Sequence, residues 1–100
     1  MAIVFIPYAM RKYCEDKNIV EISAKTLGEL IDNLEELYPG TKAHIIEEGS
    51  IKPGVAAVVD HTTTRKGLLE KIDDNSEIHF INAVSGGIKW AEKKNILMME

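Results

Sequence analysis

A single stretch of helical periodicity, residues 26–40, limits what this chain of 100 residues can fold into. Its large apolar residues recur at three- and four-residue spacing, at Leu27, Leu30, Ile31, Leu34, Leu37 and Tyr38. This spacing predicts an amphipathic helix that must bury one face against another element. Thr26 and Glu29 predict a capping box at its start, and Pro39 and Gly40 predict its end. The opposite, solvated face is predicted to carry Asp32, Glu35 and Glu36.

The remaining regular structure is predicted to be β-strand. Residues 2–7 are continuously apolar, as in a strand that is covered on both faces or central in a sheet. Residues 19–24 alternate with the period of a half-buried strand, and a turn or short irregular helix over 8–18 would join the two as a hairpin. Residues 55–60 and 77–81 predict two more strands. We therefore expect an α+β fold, a mixed sheet of four to five strands curled around one main helix.

Composition and charge exclude several classes of function. The net charge is −4, and no basic cluster exceeds Arg65-Lys66 or Lys93-Lys94, so we expect no nucleic-acid partner. No apolar run approaches the length of a membrane span, and no signal segment precedes the first one. We therefore expect no membrane partner and a cytoplasmic location. Cys14 is the only cysteine, which excludes a disulfide within the chain.

The sequence contains no recognisable catalytic or metal-binding motif. His44, His61 and His79 are widely separated, and none has a Cys or carboxylate at metal-ligand spacing. Glycine-rich phosphate loops, nucleophile elbows and zinc-peptidase motifs are also missing from the sequence. We therefore expect no catalytic residue and no metal site.

A double glycine follows the last predicted strand. Residues 78–87, "IHFINAVSGG", pass from an apolar strand through a short tail into Gly86 and Gly87. Taken with the element order, with "LYPG" at the end of the helix and with "IKPGVAAVVD" as the preceding strand, this stretch resembles the ThiS/MoaD family of sulfur carriers. The resemblance covers residues 2–87 and implies a ubiquitin-like β-grasp domain over residues 1–87.

The resemblance implies that the chain is a substrate and sulfur carrier and that it is not an enzyme. In this family a ubiquitin-activating-like enzyme uses ATP to adenylate the terminal glycine carboxylate, which then becomes a thiocarboxylate. Gly87 would be that glycine, while Val84, Ser85 and Gly86 would form the tail that threads into the partner. The carrier binds no cofactor itself. An enzyme of thiamine, molybdopterin or cysteine biosynthesis would accept the sulfur.

The extension of residues 88–100 prevents this chemistry while it is attached, because Gly87 is then joined to Ile88 by a peptide bond and has no free carboxylate. Three explanations stay open. In the first, the extension is a removable pro-segment, and a zinc-dependent peptidase of the JAMM type, which the resemblance suggests, cuts between Gly87 and Ile88. In the second, the extension belongs to a ubiquitin-like binding module that has lost carrier chemistry. In the third, it is harmless read-through.

Two further expectations concern the same end of the chain. A ubiquitin-like protein modifier would also need an exposed Gly87, and would differ from a carrier in forming isopeptide-linked products. Trp90 and the cluster over residues 96–99 are unusually apolar for a free tail. We therefore expect the extension to dock, at least in part, onto the chain's own sheet or onto a neighbouring molecule.

Overall fold

The structure, a computed structural model, describes residues 1–82, in which one helix packs against a mixed five-stranded sheet. The strands are β1 (Ala2–Phe5), β2 (Ile19–Ile22), β3 (Ile46–Glu47), β4 (Ser50–Ile51), β5 (Val55–Val59), β6 (Thr62–Thr63) and β7 (Glu77–Asn82). The helix is α1 (Leu27–Leu37), and short 3-10 helices cover Tyr8–Tyr13, Lys42–His44 and Gly67–Leu69. The predicted α+β, β-grasp architecture is confirmed.

The last strand of the described residues, β7, lies in the middle of the sheet. The strand order is β2-β1-β7-β5-β6, while β3 and β4 pair with each other as a separate hairpin. β1 and β2 form the predicted antiparallel hairpin, with Ala2 opposite Ile22. β7 runs parallel to β1, with Ile3 opposite Glu77, and antiparallel to β5. The sheet is therefore complete only when β7 has been inserted between its two neighbours.

The apolar run at the start of the chain is central in the sheet, but only one of its faces is fully covered. Ala2, Val4 and Ile6 are buried, whereas Ile3 and Phe5 between them are half-buried. Within residues 1–82, α1 packs on one face of the sheet only, and the alternative that this strand is central in the sheet is confirmed. The side chains of the second face remain accessible to a partner.

The helix contributes most of its apolar stripe to the core. Leu27, Leu30, Ile31 and Leu34 are almost completely inaccessible. Leu37, which the spacing places on the same face, is 62% exposed, so this part of the prediction is wrong. The reason is its position, since Leu37 lies at the margin of the stripe and is the last helical residue.

The capping box at the start of α1 is confirmed in one of its two hydrogen bonds. The Thr26 hydroxyl accepts a hydrogen bond from the Glu29 backbone N–H at 3.2 Å. The Glu29 carboxylate, however, accepts from the N–H of Lys25 at 2.7 Å, one residue earlier than a capping box requires. Thr26 itself pairs with Lys71 in an isolated antiparallel bridge, which ties the start of the helix to the chain before β7.

The prediction that Glu35 is simply solvated is wrong, because its carboxylate holds the loop that follows the helix. One carboxylate oxygen accepts from the backbone N–H groups of Lys42, at 2.9 Å, and Gly40, at 3.1 Å. These two hydrogen bonds lower the pKa of Glu35.

Two further contacts hold the same loop. The Lys42 ammonium lies 2.7 Å from the Asp32 carboxylate. A substituent at Gly40 would lie 2.7 Å from the Tyr13 ring, so this loop also needs its glycine.

We predict that Glu35→Gln lowers the urea concentration at the unfolding midpoint at neutral pH. A group whose pKa is lowered by folding stabilises the protein above its unfolded-state pKa, and this contribution disappears as the pH falls through the folded-state pKa. The difference in midpoint between the parent chain and the variant should therefore shrink in acid. Glu36→Gln is the matched control, since Glu36 is exposed on the same turn. Equal midpoints for the parent chain and Glu35→Gln at every pH would contradict a stabilising role for the hydrogen bonds of the Glu35 carboxylate.

Candidate functional site

The predicted tail and processing residues, Val84, Ser85, Gly86, Gly87 and Ile88, lie outside the described residues, which end at Asn82. The predicted domain boundary after Gly87 lies outside them as well and stays a prediction. What the structure describes is the strand from which the tail departs and the surface around that point.

The tail departs from one of the most firmly held strands of the sheet. β7 pairs with a neighbour on each side, and its Ile78 and Phe80 side chains are buried in the core. At its end, Ile81 pairs with Ala56 and Asn82 pairs with Val55 on β5. Since the strand is paired up to Asn82, the tail begins at a fixed position. Sites supported by rigid elements are held more accurately than sites on loops.

A carboxylate fixes the start of the same strand. Asp60, at the turn after β5, accepts hydrogen bonds from the Glu77 backbone N–H at 2.9 Å and from the Ser76 hydroxyl at 3.0 Å. Ser76 is buried, and its oxygen accepts from the N–H of Asp73 at 3.0 Å. Asp60 thus connects the β5–β6 turn to the beginning of β7. The sequence analysis predicts Asp60 only as the last residue of a strand and indicates no role for its carboxylate.

The sheet face opposite α1, which we call the outer face, carries a largely apolar surface. Paired residues of neighbouring strands point to the same side of a sheet, so the register defines this face. Its apolar members are Ile3, Phe5, Ile19, Ala56, Val58 and Ile81. Ile19 is 44% exposed and Ile81 is 49% exposed. Exposed apolar groups that lie together mark surfaces where partners bind.

The outer face has an acidic end and an apolar end. At one end, Glu21 on β2 and Glu77 on β7 lie opposite Ile3 from either side. At the other, the Phe5 ring stacks on the His79 ring, with 4.1 Å between centroids and 7° between planes. The apolar end is the one beside the point where the tail departs, because β1 and β7 are parallel and end at the same edge.

A cleft of about 330 Å³, here called the exit cleft, opens at this apolar end. The carboxyl ends of β1 and β7 line it together with Arg11, Asn18 and Ile19. The Arg11 guanidinium donates to the carbonyl of Ile6 at 3.1 Å, which fixes one wall. The exit cleft therefore offers an apolar floor and a few polar groups directly beside the origin of the tail.

Two other side chains with reactive groups, Cys14 and His44, pack against neighbouring residues. The Cys14 thiol is buried, and burial raises its pKa, which makes it a poor nucleophile. His44 packs at a tilt against Tyr13, with ring centroids 5.3 Å apart. Within residues 1–82, no three His, Cys, Asp or Glu side chains are grouped as metal ligands would be. No helix in this part of the chain is long and apolar enough to cross a membrane.

The apolar outer face is a feature that the sequence analysis did not predict. The sequence pattern places Ile81 at the end of a strand and Phe5 in a continuous apolar run, and assigns neither to a surface. The available signal was the strand period itself, because a strand with one covered face has no structural need for large apolar residues at its alternate positions. Apolar residues at both sets of positions in β1 are thus the signal in the sequence for an apolar outer face.

Comparison with known proteins gives one family and one fold. The ThiS family model matches residues 5–87. A chain of the crystal structure of the Amycolatopsis orientalis BexX/CysO complex is 27% identical, with a TM-score of 0.81, and the match covers 87% of this chain and 100% of that chain. No curated protein sequence matches.

Two other solved structures have the same fold. CysO of Mycobacterium tuberculosis is 27% identical with a TM-score of 0.80, over 84% of this chain and 100% of its own. The small archaeal modifier protein 1 of Methanosarcina acetivorans is 21% identical with a TM-score of 0.72, over 86% of this chain and 95% of its own. The CysO chain is thus matched along its whole length by the larger part of this one.

We predict that Asp60→Gly destabilises the fold by about 1–3 kcal/mol, because it leaves the buried Ser76 hydroxyl and the Glu77 N–H without their acceptor. Asp60 has a positive φ of 50, which glycine adopts readily, so the change tests the loss of the carboxylate without adding backbone strain. The measurement is the free energy of unfolding in urea, with His61→Gly as control, since His61 shares the turn and has φ 72. Equal losses for both variants would contradict a specific role for the carboxylate.

Proposed function

The chain belongs to the ThiS family, and we propose from that membership that it is a sulfur carrier whose Gly87 is activated and loaded by partner enzymes. The observation that carries this proposal is the position of Gly86 and Gly87. Only Ala83, Val84 and Ser85 separate the pair from the end of β7, the strand that completes the sheet. Two glycines without side chains allow a narrow channel in a partner to close around the backbone.

The proposed chemistry takes place in the partner's active site. A carboxylate oxygen of Gly87 attacks the α-phosphorus of ATP, the bond to the β-phosphate bridging oxygen breaks, and pyrophosphate leaves. A hydrosulfide donor then attacks the acyl carbon, AMP leaves with the electron pair of the broken bond, and the thiocarboxylate loses its proton. This chain supplies the carboxylate and its position, and no acid, base or cofactor of its own.

Removal of residues 88–100 must come first. Water adds across the Gly87–Ile88 amide, which leaves a carboxylate on Gly87 and a new amino terminus on Ile88. A zinc-dependent peptidase of the JAMM type is the class of enzyme we propose for this step. The cytoplasm, where ATP is available, is the proposed location, and an enzyme of molybdopterin, cysteine or thiamine biosynthesis is the proposed sulfur acceptor.

The outer face is the proposed docking surface for the activating enzyme. Its apolar end surrounds the origin of the tail, so a partner seated there would receive the tail in its active site. Ile19 and Ile81 supply exposed large side chains beside the Phe5–His79 stack. A few large apolar or aromatic side chains near the centre of an interface commonly supply most of its binding energy.

The carrier function predicts a change in the mass of the protein. In cells that contain its partners, the full-length chain should be converted to a form that ends at Gly87, part of which carries sulfur in place of one oxygen. The measurement is the intact mass of the protein recovered from such cells, with a strain lacking the activating enzyme as control. That strain should yield the chain ending at Gly87 without the sulfur. Recovery of only the full-length chain would refute the carrier function.

The thirteen residues after Gly87 favour a second candidate, a ubiquitin-like binding module without covalent chemistry. The two functions differ in what they need from this end of the chain. A carrier loses function on Gly87→Ala and keeps it when residues 88–100 are deleted, whereas a binding module shows the reverse. A protein modifier would behave as a carrier does in both variants, and would add isopeptide-linked products of higher mass.

The docking surface gives a separate prediction. Ile81→Asp should weaken binding of the chain to its activating enzyme by roughly tenfold or more, because it places a charge in an apolar contact of about 1–2 kcal/mol. Leu69→Asp is the matched control, since Leu69 is 79% exposed and belongs to the 3-10 helix that packs against α1, away from the outer face. Titration calorimetry measures both. Equal weakening by the two variants would exclude the outer face as the interface.

A further inference from the structure

We propose that the free edge of β2 binds β2 of a second copy of this chain, so that the two sheets join edge to edge. Among residues 1–82, β2 pairs with β1 only, which makes it one of the two edge strands of the five-stranded sheet. An edge strand presents a row of backbone N–H and C=O groups with which another strand can pair.

The register with β1 defines which backbone groups of β2 face outward. The Ile6 N–H donates to the carbonyl of Asn18, directly opposite it, at 2.8 Å. In an antiparallel pair every second residue turns its backbone groups to the neighbouring strand, so Asn18 and Val20 face β1. Ile19 and Glu21 therefore turn their N–H and C=O groups away from the sheet, and both residues are exposed.

Hydrogen bonds within the chain limit this outward row at both ends. At one end, the carbonyl of Ser23 accepts from the side-chain amide of Asn33 on α1 at 2.8 Å. At the other, the N–H of Lys17 donates to the carbonyl of Cys14 at 3.0 Å. The groups available for pairing are thus the N–H and C=O groups of the two exposed strand residues between these points.

A two-fold axis perpendicular to the sheet at Val20 matches the outward row to itself. It sets the two β2 strands antiparallel, with Ile19 of each copy opposite Glu21 of the other, so that every N–H in the row finds a C=O. Opposite residues point to the same side of a sheet, so each core and each outer face continues into that of the second copy.

The same axis makes the charges at the edge complementary. Lys17 lies diagonally across from Glu21 of the second copy, within reach of a long side chain. Both side chains are exposed, and the symmetry gives two such pairs in each dimer. An axis centred on Glu21 instead would set two carboxylates opposite each other, which is unfavourable.

The two edges of the sheet differ in a way that favours pairing at β2. Natural edge strands that stay unpaired are commonly very short, or contain proline, lysine or a bulge. β6, at the other edge, has only two residues and is followed by Arg65 and Lys66. β2 has four residues, three of them apolar, and an uninterrupted register.

The sequence of β2 favours a second copy over an extended peptide of another protein. Lys17 and Glu21 are four residues apart, roughly 13 Å along a strand, so they do not meet within one molecule. They come together only when a second copy of the same strand runs antiparallel to the first. The edge therefore recognises its own sequence, and the outer faces of both copies stay open on the same side of the joined sheet.

Sedimentation equilibrium of the full-length chain tests the proposal. The average mass should rise from 11.2 kDa toward twice that value as the concentration is raised from about 10 μM to about 1 mM, since so small an interface gives a weak dimer. A mass that stays at 11.2 kDa throughout this range would overturn the proposal.

A charge exchange tests the register. Lys17→Glu and Glu21→Lys should each weaken the dimer roughly tenfold, because two attractive pairs become repulsive, and the double variant should restore the parent affinity within about threefold. Lys66→Glu is the matched control, since it changes the net charge equally at an exposed position far from β2 in the sequence. A double variant no stronger than the weaker single variant would contradict the register.

A proline tests the backbone pairing. Glu21→Pro removes an outward N–H and keeps the hydrogen bonds to β1, so the variant should fold and sediment as a monomer. Thr63→Pro is the matched control at the β6 edge, where Thr64 donates to Ala57 and Thr63 faces outward. Dimerisation of Glu21→Pro at the parent affinity would place the contact on another surface and refute the proposal. None of these measurements involves Gly87 or sulfur, so the dimer and the carrier function succeed or fail independently.

Discussion

The insertion of β7 between β1 and β5 is the interaction on which the rest of the structure depends. It joins two hairpins that would otherwise share no strand, and it places Ile78 and Phe80 in the core beneath α1. Its parallel pairing with β1 connects the two ends of the described chain, a contact of high sequence separation that only the folded state provides. The tail begins where this strand ends, so the stability of the fold and the position of the tail have the same cause.

The period of two along β7 separates stability from recognition within one strand. Ile78 and Phe80 point into the core, while His79 and Ile81 point to the outer face, where His79 stacks on Phe5. Substitutions at the first pair should act through the free energy of unfolding, whereas substitutions at the second pair should act through binding if the outer face is the docking surface, as proposed. A shift of register by one residue would exchange the two roles, and the Asp60 hydrogen bonds at the start of the strand oppose such a shift.

The sequence was sufficient for the helix and the main strands because their signals are local and periodic. It was insufficient for Glu35 and Asp60, whose roles depend on backbone N–H groups that only the fold brings within reach. The small hairpin of β3 and β4 was missed for a related reason, since strands of two residues are too short to show a period. The double glycine was recognised by its resemblance to a family motif. The structure adds that only three residues separate it from the end of β7.

A carrier that performs no chemistry of its own must control when its end is available and how its binding face is covered. In this chain both problems arise at the same place, since the apolar end of the outer face surrounds the origin of the tail. Large apolar groups left accessible to solvent favour non-specific association, so the proposed docking of a partner on the outer face would also remove these groups from solvent.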